Sequence, residues 1–125
     1  MGDRANVKIE YGSDEASVYL YTHWVGCELP FIVQNALSSK AGRNHWNNPA
    51  YLARIVFGAM VKYDIGDETG FGIASYPPDN EHLFIVLRTD QIIRFEDYRG
   101  RMLASWTFEE YVALARYTIQ AAYNQ

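Results

Sequence analysis

Cys27 is the one thiol in the chain, and it stands just ahead of a segment with helical spacing, where unpaired amides at a helix start would stabilise a thiolate. With His23, His45 or His82 as its base, that thiolate would be a nucleophile. An isolated cysteine is more often a small buried hydrophobe, and the sequence favours that role. A second constellation is built from imidazoles. His23 closes an aromatic strand, and His82 opens another directly after Asp79-Asn80-Glu81. If those strand ends adjoin, His23, His82 and Glu81 with the neighbouring carboxylates would form an acid–base pair for hydrolysis, with or without a metal. Histidines at strand ends more often serve as hydrogen-bonded rim groups, so no catalytic residue, metal or other cofactor is expected. Asp64, Asp67 and Glu68 lack the spacing of a calcium loop and read as a solvated turn.

Binding is the chemistry these residue types favour. Tyr19, Tyr21, His23 and Trp24 would present an aromatic strand face and rim, beside Asp79, Asn80 and Glu81. Trp46, with Arg43 and His45, combines indole, cation and imidazole as binding hot spots do; folding back over a pair of helices is the competing role for that indole. No phosphate loop, dinucleotide fingerprint, zinc helix or nucleophile elbow occurs in the sequence.

The elements that must position these groups follow from periodicity. Residues 5–11 alternate, with Val7, Ile9 and Tyr11 on one face and Asn6, Lys8 and Glu10 on the other. Gly12-Ser13-Asp14-Glu15 turns the chain into the strand 17–24, apolar or aromatic on both faces and therefore expected inside its sheet. Leu29, Ile32, Val33, Ala36 and Leu37 make a helical stripe, as do Leu52, Ile55, Val56, Ala59, Met60 and Tyr63 behind an Asn48 cap and Pro49. Strands are expected at 70–76, 82–88, 92–96 and 102–106, the second of these also interior. The capping box Thr107-Phe-Glu-Glu110 then opens one closing helix to about Tyr123. The order β-β-α-α-β-β-β-β-α predicts an α+β fold, an antiparallel sheet with helices packed against it, in a single domain spanning residues 1–125. In the closing helix Leu114, Tyr117, Ala121 and Tyr123 widen the apolar arc beyond the stripe of Phe108, Tyr111, Val112, Ala115, Ile119 and Ala122. That surplus, with Tyr19 and Tyr21, predicts a homodimer.

Composition narrows the function classes. The chain has 125 residues, 49% hydrophobic and 21% charged, which is the profile of a folded domain and not of a disordered one. A net charge of −4 argues against non-specific nucleic-acid binding, which depends on Lys and Arg neutralising phosphates. A lone cysteine fits a reducing cytoplasm, and with no long apolar run the chain is expected neither to carry a signal peptide nor to span a membrane.

Met1-Gly2-x-Arg4, Tyr21-Thr22-His23-Trp24-x-Gly26, Thr69-Gly70-Phe71-Gly72-Ile73, Asp79-Asn80-Glu81 and Trp106-Thr107-Phe108-Glu109-Glu110 together resemble a group of small, uncharacterised proteins of bacteria and their phages. Val25 departs from the Asp or Gly frequent there. The resemblance covers almost the whole chain and implies a phage setting in the host cytoplasm. In that setting small acidic proteins often inhibit a host protein or sequester a small-molecule ligand. The expected function is a non-enzymatic binding protein of that kind; the alternative is a small hydrolase using His23, His82, Glu81 and Cys27.

Overall fold

The computed structural model describes residues 2–12, 16–63, 65–66 and 68–125. The Ser13-Asp14-Glu15 part of the first turn, and Asp64 and Asp67 of the acidic turn, lie outside them. Six strands form one sheet in the order β3-β2-β1-β4-β5-β6: β1 Ala5–Glu10, β2 Ser17–Thr22, β3 Phe71–Ala74, β4 Phe84–Leu87, β5 Ile92–Glu96 and β6 Met102–Thr107. The helices are α1 Leu29–Ser38, α2 Lys40–Arg43, α3 Pro49–Val61, α4 Phe108–Val112 and α5 Arg116–Tyr123, with a 3-10 turn at Gly26–Glu28. No helix among the described residues is long and apolar enough to cross a membrane.

The α+β class holds, but the sheet is mixed and not antiparallel as expected. β1 and β4 pair in parallel, Val7 opposite Ile85 and Ile9 opposite Leu87, while every other neighbouring pair is antiparallel. β3 already runs in β1's direction, and the connection 75–83, which holds no helix, crosses β2 and β1 to set β4 beside β1 in that same direction. β2 and β4 are both interior, and Tyr19 and Tyr21 are half-buried.

One face of the sheet is covered by helices. Val7, Ile9, Leu20, Ile85, Leu87, Ile93 and Phe95 point into it and are almost wholly excluded from water, beneath Ile32, Val33, Leu37, Val56, Phe108 and Ile119. On the other face Lys8, Val86 and Arg94 stand side by side in register across β1, β4 and β5. Val86 is fully buried there although no helix covers it, because long ionic side chains flank it on both sides.

Two helices depart from the sequence expectation. Ser39 caps the extra turn α2, its hydroxyl accepting from the Gly42 amide at 3.0 Å. The closing helix is not continuous. The capping box at Thr107 and Glu110 forms as expected, but the helix stops at Val112 and restarts at Arg116. The Gln34 side-chain amide in α1 donates to the Tyr111 and Leu114 carbonyls at 3.1 and 2.9 Å, satisfying acceptors at this break. The restart resets the helical phase. Tyr123 turns into the core with Ile119, Ala115 is exposed, and of the residues read as surplus only Tyr117 and Ala121 remain exposed.

Candidate functional site

The end of β2 builds the site. The buried Thr22 hydroxyl accepts from the Trp24 and Val25 amides at 3.3 and 3.2 Å, turning the chain off the strand into Gly26–Glu28. There the Gly26 amide donates to the Asp3 carbonyl at 2.8 Å, and the Cys27 amide donates to Asp3 Oδ2 at 2.8 Å. Only glycine fits at Gly26. A Cβ there would lie 2.5 Å from the Asp3 carbonyl oxygen and 2.9 Å from both Asp3 Oδ1 and His82 Cδ2.

Asp3 is the hub of this cluster. His82 Nε2 lies 2.5 Å from Asp3 Oδ1, and the His82 ring stacks on Tyr123 at 5.0 Å between centroids and 6° between planes. The buried Tyr123 hydroxyl donates to the Gly26 carbonyl at 2.8 Å, which closes a ring of contacts from the N-terminal segment to α5. Burial pushes the Asp3 carboxyl up, but the bonds from His82 and from Cys27 outweigh it and hold the group below its ordinary 3.8. The same carboxylate acts on Cys27 in the opposite direction. The thiol is exposed, not the buried hydrophobe expected, and it is raised above its ordinary value by the neighbouring Asp3 carboxylate first and by partial desolvation second. A thiolate stabilised at the start of α1 is therefore not what forms; a negative neighbour outweighs the helix amides.

The two imidazoles sit in different surroundings. His23 Nδ1 is 3.2 Å from the Tyr21 hydroxyl, and the His23 ring meets Trp24 edge-on at 4.2 Å. Gly2 packs against the His23 ring, while Asp3 holds His82, so the N-terminal segment contacts one imidazole with each of two successive residues. Glu81 is held by Arg4, accepting from its amide at 2.8 Å and donating its own amide to the Arg4 carbonyl at 2.9 Å. Among the described residues no group of three or more His, Cys, Asp or Glu side chains is placed to hold a metal ion.

The segment carrying Asp79 and Asn80 lies against the buried Asn6 of β1, whose amide nitrogen is 3.3–3.5 Å from Pro78 O, Asp79 O and Asn80 Oδ1. Between this segment and the chain end is an open groove of about 670 Å³, walled by Pro77–Phe84, Tyr98 and Tyr123. Asp79, Asn80, Glu81 and His82 all line it. Tyr19 lies nearby against Phe84, edge-on at 6.3 Å, and lines a smaller recess with Tyr98. Trp46 is elsewhere. Its indole nitrogen donates to the Leu37 carbonyl at 2.9 Å and its ring packs edge-on against Phe108, so it closes the helix layer, with Arg43 over its face.

Sequence reasoning missed Asp3, Tyr98 and Tyr123. Asp3 precedes the first strand with no motif around it. Tyr98 sits in a tight β5–β6 turn, and Tyr123 was hidden by the change of helical phase. Compared with known proteins, the chain matches no protein-family model, no curated protein and no solved structure.

Proposed function

We propose that the protein is a non-enzymatic binding protein that takes a small ligand in the groove between the Asp79–His82 segment and Tyr98. The observation that carries this reading is the combination in one concave surface of a volume within the usual range of ligand sites, about 300–1,000 Å³, with polar groups beside the exposed ring of Tyr98. The nucleophilic alternative loses support because the Cys27 thiol is raised and shares Asp3 with His82. The resemblance to phage proteins favours a ligand or protein of a bacterial host, met in its cytoplasm. A two-fold dimer belongs to the same reading, with the exposed Tyr117 and the half-buried Tyr19 and Tyr21 as candidate contacts.

One observation favours hydrolysis as a second reading. His82 is held by a carboxylate on the wall of the groove, the relation by which an acid–base imidazole is oriented, and its Nδ1 has no hydrogen-bond partner among the described residues. Native mass spectrometry of protein purified from bacterial cells separates the two. A small-molecule adduct retained by the wild type and lost in Tyr98→Ala supports binding. Absence of any adduct, together with turnover of a model ester that Asp3→Asn and His82→Gln abolish, overturns it. Sedimentation equilibrium decides the dimer, which a species of 14.4 kDa alone would overturn.

A further inference from the structure

A second groove, of about 600 Å³, runs between α1 and α3 and shares no lining residue with the one at the sheet end. Its floor is apolar and low, with Ile32 and Ala36 from α1 and Ile55 and Ala59 from α3. Gly58 adds space at the wall, and the Arg54 guanidinium lies against it where a side chain would otherwise stand. Arg54 and Lys62 line the groove, and Lys40 lies between two further lining residues, Ser39 and Ala41.

The charges are distributed unevenly. Residues 29–63, which build this helical layer, contain Lys40, Arg43, Arg54 and Lys62 and no carboxylate, in a chain whose net charge is −4. Arg43 and the cations outside this layer are engaged. Arg4, Lys8, Arg43, Arg88, Arg94, Arg101 and Arg116 each face a carboxylate, and Arg99 donates to the Tyr98 hydroxyl. Lys40, Arg54 and Lys62 have no such partner among the described residues, and all three belong to this one groove or its rim. A concave apolar floor with uncommitted cations at its edge complements a molecule that is apolar along its body and negative at one end.

We infer that the α1–α3 groove binds a small amphiphilic anion, an acyl or aryl chain ending in a carboxylate or phosphate. The chain lies over Ile32, Ala36, Ile55 and Ala59, and the head group meets Arg54 and Lys62. A polyanion would gain nothing from the apolar floor.

Isothermal titration calorimetry tests this with dodecanoate and dodecyl phosphate below their micelle concentrations and dodecanol below its solubility limit. One equivalent of either anion is expected to bind, with dodecanol at least about 10-fold weaker, the scale of about one lost charge-assisted contact. Arg54→Ala with Lys62→Ala should weaken dodecanoate by about 10-fold or more, whereas Arg101→Ala, which removes a cation from the β5–β6 turn, should leave it unchanged. Ala59→Phe should block all three ligands, with an unshifted melting curve establishing that the fold is kept. Comparing the two anions tells a carboxylate site from a phosphate site. Dodecanol binding as tightly as dodecanoate, affinity unmoved in the double variant, or binding of an acidic peptide without either amphiphile would overturn the inference.

Discussion

The two faces of the sheet solve the same problem with different materials. On the helix side Ile85, Ile93 and Phe95 are shielded by hydrocarbon and aromatic rings; Phe95 alone meets Trp106, Tyr111 and Tyr123 at 5.3–6.1 Å between ring centroids. On the open side Val86 is equally buried, but its shield is the flanking row of Lys8 and Arg94, whose charged ends approach Glu10 and Glu96 at 3.8 Å. The first arrangement rests on packing and should be nearly independent of pH. The second places carboxylates close to a desolvated surface and should respond to protons.

The sharpest break of this comparison is Phe95→Ala, which empties the meeting point of three rings and should destabilise by about 3–5 kcal/mol in urea unfolding, by the same amount at every pH where the wild type is folded. A loss below about 1 kcal/mol would mean that the helix face is not tightly packed. Tyr123→Phe keeps the ring and removes one of two donors to the Gly26 carbonyl, the Leu29 amide remaining as the other. About 1–1.5 kcal/mol is expected by the same measurement.

Asp3→Asn should cost about 1 kcal/mol at neutral pH, kept small because Asp3 and His82 are both partly open to water. The sign of its pH dependence follows from the lowered carboxyl. Its contribution is present above the ordinary value of 3.8 and disappears as the pH falls through the lower folded value, so wild type and variant should converge in acid. The smallest effect has the opposite sign. Burial raises the Glu96 carboxyl above 4.5 despite Lys8 and Arg94, so at neutral pH the folded state bears a cost for ionising it. Glu96→Gln should therefore stabilise by roughly 0.5 kcal/mol at pH 7, and the gain should vanish as the pH falls below the unfolded value. A variant less stable than wild type at pH 7 would show that the cations more than offset the burial.

Side-chain alternation was a sound guide to which face each strand residue occupies. Val7 and Ile9 against Lys8, and Ile85 and Leu87 against Val86, fall as their spacing requires. What alternation does not encode is the neighbour. A strand polar on one face reads as antiparallel, and the parallel β1–β4 pairing is set instead by the non-helical connection 75–83, which crosses β2 and β1. The break after Val112 was illegible for a related reason: no glycine or proline marks it, and the amide that satisfies its carbonyls comes from Gln34, 77 and 80 residues away. At the site, the Asp79–His82 segment could be picked out because its polar residues interrupt an apolar stretch. Its link to Asp3 could not, since a carboxylate ahead of a strand looks the same whether it faces water or an imidazole.

The parallel contact of β1 with β4 also bears on how the chain reaches its native state. The β1–β2 hairpin is local and can form early, yet β1 gains its second neighbour only when β4 arrives, and the Tyr123 hydroxyl reaches the Gly26 carbonyl across 97 residues. Such closures carry an entropic cost before their contacts form, which places this topology among the slower folders of its size. During synthesis the first hairpin must wait with one edge of β1 unpaired until the second half of the chain has emerged. Its alternating Asn6, Lys8 and Glu10 then discourage that waiting strand from pairing with another chain.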